Sequence, residues 1–497
     1  MTRQICPKNW KYAKIIYSNG SILYKKVRKL NKYSYGIYLS EKIKDNNFRI
    51  EKLKDRRFPF KFSVKLTKET EHYYYVTIPS EITEILSLKN KEVMKYSLGN
   101  ETYIGRLKKK CNSFILNISR VETNKWNLSY DNLITFSKKI SFKSPKEKII
   151  IKRGNNKKYF DLSNLLPKYT SRDNLPFRIY YLNKNKILVS CEFKHVKGED
   201  FKYIILPRFL EVNKLALFFG LMHSDGFKKF GYYEIYKKKI NSPYVGFTNG
   251  EPQIIDLFLN LFESLFEIKR DAFIANLRYP LELKEKQRFK LEDFWRKLVL
   301  STPKIYLDKK RESKWCPAGI INIGIYNILF AEIIISSLKR FLKNIENANK
   351  NVKESFLKGV LIGDGSPILD KNKIRRIMIA IEFKEEGDMY TSIFNSLKYK
   401  ARNLFINGNP HRLVDISGGI KSIEHFIKRL NFGFWDGKKY YGSLEKHYKL
   451  LKGYKNCSQS KKNYYKEKDA LELLLKIYIN ELSTFLTIPK YYREIFQ

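Results

Sequence analysis

The chain is 497 residues long, enough for about three domains of ordinary size, each with a substantial core. Lys and Arg number 97 against 50 Asp and Glu, and the resulting formal charge of +47 excludes a domain tuned only for solubility and calls for a polyanionic partner. The most apolar stretches, near Leu215–Met222 and Ile333–Ile335, fall well short of the ~18 residues a spanning helix needs, which excludes such a helix. Richness in Lys, Ile, Asn, Tyr and Phe also resembles the coding bias of an AT-rich genome, but bias does not relieve the repulsion among so many like charges. No charged and apolar leader opens the chain, so a cytoplasmic setting is expected, or an organelle if the gene resides there.

Residues 1–200 are rich in short β-type runs separated by polar turns, which predicts a strand-dominated region. Four segments, Gly36–Ser40, Val76–Ser80, Ile115–Ser119 and Tyr159–Ser163, each run a strand into a serine suited to cap a helix. A second apolar run follows each one: Phe48–Ile50, Glu92–Met94, Asn132–Ile134 and Phe177–Ile179. Four degenerate copies of one unit account for this spacing. The second copy, Val76-Thr77-Ile78-Pro79-Ser80-Glu81-Ile82 followed by Leu86-Ser87-Leu88 and Glu92-Val93, resembles the AbrB-type swapped-hairpin DNA-binding fold. That resemblance implies paired copies forming DNA-binding barrels on one chain, with Lys108, Lys109 and Lys110 in a basic loop facing phosphate. Only the second copy carries the Thr-Ile-Pro, so the other three rest on the period alone.

Further along, Leu217-Phe218-Phe219-Gly220-Leu221-Met222-His223-Ser224-Asp225-Gly226 and Phe356-Leu357-Lys358-Gly359-Val360-Leu361-Ile362-Gly363-Asp364-Gly365 are two versions of one helical segment. Ala216, Gly220 and Ser224 fall at i, i+4 and i+8, as do Ser355, Gly359 and Gly363, so each helix carries a stripe of small residues. Small residues on one face let two backbones approach closely. The pair would bring Asp225 and Asp364 to one end, with the following glycines ending the helices. Carboxylates at helix C-termini are electrostatically misplaced, and two of them side by side repel, so a cation is expected between them. Five scattered cysteines without CxxC spacing and six scattered histidines offer no zinc site, and the cysteines are expected to be reduced. Oxygen ligands favour Mg²⁺, with Mn²⁺ as a substitute.

These two segments resemble the single-chain, two-motif form of the LAGLIDADG homing endonucleases, and the resemblance covers roughly half the chain. The halves echo one another: Tyr244–Thr248 precedes an apolar helical run over 254–266, and Ile377–Ile381 precedes one over 389–405. Ile320–Gly324 leads into 328–342, and Arg412–Ile416 leads into 423–430. The resemblance implies an α+β fold, a pseudo-twofold duplicated αββαββα core with saddle-shaped sheets lying on DNA. Its first half would span 205–350, with an extra charged helix around 283–298, and its second half 351–455. A helical tail over 456–497 follows, amphipathic through Leu471, Leu474, Leu475, Ile477, Tyr478 and Leu482.

Carried over residue by residue, the resemblance makes Asp225 and Asp364 the catalytic metal ligands, with Gly226 and Gly365 beside them, and Gly220 and Gly359 the residues of closest helix contact. His223 and Ile362 replace the first Asp of the family motif, which is not catalytic in that pattern. Lys343 and Lys438 are the best matches to the family's basic residues, with Lys339, Lys350 and Lys439 as alternatives. Tyr232, Tyr233 and Tyr236 in the first half and Arg375 and Arg376 in the second are candidate base readers, while most other cations position the backbone. The implied activity is metal-dependent hydrolysis of both strands of double-stranded DNA at a long asymmetric site, as in intron homing, by a monomer. A non-cleaving regulator, or a maturase acting on intron RNA, is the alternative use of the same fold. Thr2, the position of Cys6 and the ending Glu494-Ile495-Phe496-Gln497 do not fit intein splicing.

Overall fold

The computed structural model describes the residues from 157 to 488 apart from 171–173, 182–183, 196–197, 227–244, 309–315, 406–411, 438 and 458–463, and also Tyr492. Before 157 it describes the strands named below, Thr83 and 88–90. The chain forms two compact units, 1–143 and 144–497.

The first unit is built of strands β1 (Thr2–Cys6), β2 (Tyr12–Tyr17), β3 (Ile22–Lys26), β4 (Arg28–Lys29), β5 (Tyr35–Leu39), β6 (Phe48–Lys52), β7 (Lys61–Lys65), β8 (Thr67–Lys68), β9 (Tyr73–Ile78), β10 (Val93–Leu98), β11 (Glu101–Lys110), β12 (Ser113–Ser119) and β13 (Leu133–Lys139). Its largest sheet has the order β7-β13-β10-β11-β12-β9-β8. The second and third sequence repeats meet like to like here. Their first strands, β9 and β12, pair antiparallel, and so do their second strands, β10 and β13. Val76 and Ile78 are buried while Thr77 between them is exposed, the period-two burial that a strand with one covered face requires. The basic run Arg106–Lys110 is not the expected loop. It is the end of β11, tied to β12 from Leu107↔Leu116 to Lys110↔Ser113, because buried Leu107 and Leu116 set the register. Lys108, Lys109 and Lys110 are exposed there, and the Lys110 ammonium lies 5.3 Å from the Tyr75 ring.

Strands continue to Glu211, but the two compact units divide at 143. The second unit begins with β14 (Ile151–Gly154), β15 (Lys157–Asp161), α1 (Leu162–Leu165), β16 (Arg178–Tyr181), β17 (Lys186–His195), β18 (Gly198–Pro207) and β19 (Phe209–Glu211). The fourth sequence repeat therefore stands apart from the others. Its strand β15 pairs with β19, Arg208 bridges buried Asp161 at 2.7 Å, and Phe160 packs edge-on against Phe341. Those contacts draw the segment into the core of the second unit.

The remainder reads α2 (Val212–Ser224), β20 (Val245–Asn249), α3 (Pro252–Phe266), β21 (Ile274–Tyr279), α4 (Glu285–Val299), β22 (Lys304–Leu307), β23 (Ile320–Ile325), α5 (Ile328–Ile345), α6 (Lys350–Asp364), β24 (Gly365–Asp370), β25 (Lys373–Ala380), α7 (Lys384–Ser396), β26 (Lys400–Asn403), β27 (Leu413–Ser417) and α8 (Gly419–Arg429). The two sheets run β20-β23-β21-β22 and β24-β25-β27-β26. In both, the strand before the last helix lies between the strand before the middle helix and the strand after it. The fold is thus α+β, and the two sheets share this order of three strands. In the first half α4 is an addition, seated by the buried Trp295, whose Nε1 donates to the Ala318 carbonyl at 3.0 Å.

After α8 come a hairpin, β28 (Gly433–Asp436) and β29 (Lys439–Gly442), then α9 (Leu444–Lys455) and α10 (Tyr465–Ser483). Leu471, Leu475 and Leu482 are buried, and Tyr448 donates to Glu472 at 3.3 Å, so the tail packs on α9 as part of the same core. Among the described residues no helix is long and apolar enough to cross a membrane, and Cys191, Cys316 and Cys457 are free thiols.

Candidate active site

Helices α2 and α6 run parallel and touch along their small-residue stripes. A Cβ on Gly359 would lie 2.7 Å from the Leu221 nitrogen, and one on Gly220 would lie 2.9 Å from the Gly359 Cα. Both contacts are to backbone, which cannot move aside as a flexible side chain would. Farther along, Ser224 is buried and bonds back to the Gly220 and Leu221 carbonyls, facing Gly363. Ala216 is buried and Ser355 half-buried at the start of the stripes.

Packed in this register, the helices end side by side. Asp225 is the C-cap of α2 and Asp364 the last residue of α6. The Asp225 Oδ2 lies 2.8 Å from where a Cβ on Gly363 would sit, so one carboxylate reaches across to the residue before the other. Gly226 then bridges to Phe247 of β20, and Gly365 opens β24, so each aspartate stands where a helix turns into its sheet. His223 faces away from this end, bonded through Nδ1 to the Tyr390 hydroxyl at 2.6 Å across the two halves.

Among the described residues, two further groups stand at the helix ends. Asn249, at the end of β20, donates through Nδ2 to Asp225 Oδ2 at 2.8 Å. Lys446, in the first turn of α9, donates through Nζ to the Ile362 carbonyl at 3.0 Å and to the Gly363 carbonyl. Its cation sits at the negative end of α6, next to Asp364, where the macrodipole favours positive charge. Sequence reasoning missed both. Lys446 was hidden because a lysine in a helix dense in lysine has no local mark, and Asn249 because its partner lies on a different element.

Of the basic residues proposed from sequence, Lys343 lies on α5. It is exposed in the last turn of α5, which a short link joins to the start of α6. Lys438, Tyr232, Tyr233 and Tyr236 lie outside the described residues. The alternative Lys439 is engaged elsewhere, 2.5 Å from Asp256. Arg375 and Arg376 lie on β25, with Arg375 paired to Asp370 at 2.7 Å and Arg376 within 3.7 Å of Asp415. The uncovered face of the first sheet adds Asn276, Arg278 and Asn322, legible in the alternation of Ile274–Tyr279 with its buried Ala275, Leu277 and Tyr279.

Among the described residues no three His, Cys, Asp or Glu side chains gather into a metal cage. Two carboxylates at a helix end still fit Mg²⁺, which binds through one or two carboxylates and keeps water or phosphate on its other positions.

No protein-family profile matches this chain, and no curated protein matches it. A solved structure from a study of mesophilic variants of the homing endonuclease I-DmoI is similar over 44% of this chain and 90% of its own, at 14% identity and a TM-score of 0.27.

Proposed function

We propose that the chain is a LAGLIDADG-type DNA endonuclease that hydrolyses both strands of a specific duplex site. One observation carries the reading: glycine-to-glycine packing of α2 on α6 sets Asp225 and Asp364 together where two sheets that share an order of three strands begin. A packed core gains nothing from two carboxylates at adjacent helix C-termini, so their placement is explained by a cation bound in use. Asp225 and Asp364 would hold that ion, Mg²⁺ by preference. When bound, it would supply Lewis acidity and a more acidic water.

The chain's own groups divide the remaining work. Asn249 fixes one oxygen of Asp225 and so orients its carboxylate. Lys446 offsets negative charge beside Asp364, where a scissile phosphate gathers more as the leaving oxygen departs. Residues on the open sheet faces, Arg278, Asn276 and Asn322 in one half and Arg375 and Arg376 in the other, would meet base edges, while the surrounding cations hold the phosphate backbone. The like-with-like strand pairing of the first unit, with exposed Lys108 to Lys110, supports a second DNA-binding surface of the AbrB kind.

The test is to incubate wild type and the Asp225→Asn, Asp364→Asn double variant with long duplex libraries and Mg²⁺ and to sequence new ends. Site-specific double-strand ends from wild type alone are expected. Selective binding by both without cutting by either would transfer the reading to a regulator or maturase.

A further inference from the structure

We propose that Glu251 is a positioning residue: its ionised carboxylate caps α9 from the other side of the fold and holds Lys446 against the end of α6. The catalytic consequence rests on the nuclease reading above, but the positioning itself does not.

Glu251 belongs to the first half, immediately before α3, while α9 lies at the end of the second half, after α8. The Ser443 Oγ donates to Glu251 Oε1 at 2.6 Å, and the Glu445 backbone N–H donates to the same carboxyl. Ser443 is also the N-cap of α9, its Oγ accepting from the Lys446 N–H at 3.2 Å. A carboxylate at a helix N-terminus meets the positive end of the macrodipole and the unpaired amides of the first turn. On its other side the Glu251 N–H donates to Asn249 Oδ1 at 2.8 Å. Hydrogen bonds therefore run from Asp225 through Asn249, Glu251 and Ser443 to the turn that carries Lys446, and from its Nζ to the carbonyls beside Asp364.

The arrangement is sensitive to protons near neutrality. Burial, and then the nearby Glu445, push the Glu251 carboxyl up to about 7, while Lys446, the Ser443 hydroxyl and the Glu445 amide pull the other way. The other groups facing it stay neutral: burial pushes the Cys316 thiol up to about 12 and holds the phenols of Tyr440, Tyr478 and Tyr492 above their usual range. As pH falls through 7, Glu251 takes a proton and loses its pull on the α9 terminus and on Lys446. Global stability moves the opposite way. A carboxyl raised by burial leaves the fold most stable below the ordinary carboxylate range and less stable as pH climbs through 7.

The experiment compares full-length wild type with Glu251→Gln, an isosteric neutral group, from pH 6 to pH 8 by three readouts. Cleavage by the variant should be about tenfold slower than wild type at pH 8, with the ratio closing toward one at pH 6; taking the ratio cancels any hydroxide dependence common to both. Acylation of Lys446, followed by mass spectrometry, should be several-fold faster in the variant at pH 8 and equal at pH 6. Thermal melting of the variant at pH 8 should be no lower than wild type, which separates positioning from a merely structural role. Equal Lys446 reactivity at pH 8, or a ratio that does not change with pH, overturns the proposal. Wild type that never cleaves, with the Lys446 difference intact, removes the nuclease reading and leaves the positioning standing. If Glu251→Gln does not fold, Ser443→Ala serves: losing a bond that favours the carboxylate must move the Lys446 reactivity midpoint to higher pH, and an unmoved midpoint counts against the proposal.

Discussion

The ends of α2 and α6 are matched in chain position yet differently furnished. Asp225 receives a neutral donor, Asn249, from its own half, whereas Asp364 is neighboured by a cation, Lys446, delivered by a helix at the end of the second half. Duplication by itself yields two equivalent centres. On the nuclease reading proposed above, Lys446 of α9 would break that equivalence, and the two DNA strands would be cut by unequal means.

Removing what the two ends share should have the largest effect. Asp225→Asn or Asp364→Asn should cost at least ~10³-fold in double-strand cleavage with duplex binding retained, read by cleavage and gel-shift assays together. Comparable loss through the scaffold is expected from Gly359→Val, because its side chain would meet the Leu217 carbonyl and the Leu221 nitrogen rather than a movable group. Its thermal melt should reveal destabilisation of about 3 kcal/mol or more.

The comparison is sharpened by variants that act at one end only. Lys446→Met should slow one strand by ~10²-fold, the size expected on losing one charge-stabilising donor, and accumulate a nicked duplex. Asn249→Ala should slow the opposite strand, by about tenfold, since the carboxylate it orients remains. Strand-labelled substrates measure both, and equal slowing of both strands by either variant would break the proposed asymmetry. The smallest effect belongs to the sheet face: Arg278→Ala should weaken binding by about 1–3 kcal/mol and relax preference at few base pairs, measured against a randomised site library.

The parts legible in the sequence were those written at short range. The stripes of Gly220 and Gly359, the aspartates after them and the succession of helices and strands from 245 to 429 all follow from a local 3.6 or 2.0 period. The division into compact units was not legible, because Phe160 and Asp161 have the local pattern of the earlier repeats and only their contacts with Phe341 and Arg208 assign them to the second unit.

The sequence by itself therefore determined the α+β class and the two small-residue stripes that lead to Asp225 and Asp364, since periodicity and small-residue spacing are properties of local order. Only the tertiary structure brought Lys446 to the carbonyls just before Asp364 and Glu251 to Ser443 at the start of the lysine's helix. Residues 251, 363 and 446 are far apart in the chain and meet because helices that pack on a shared core bring distant termini together, a relation that no local pattern encodes.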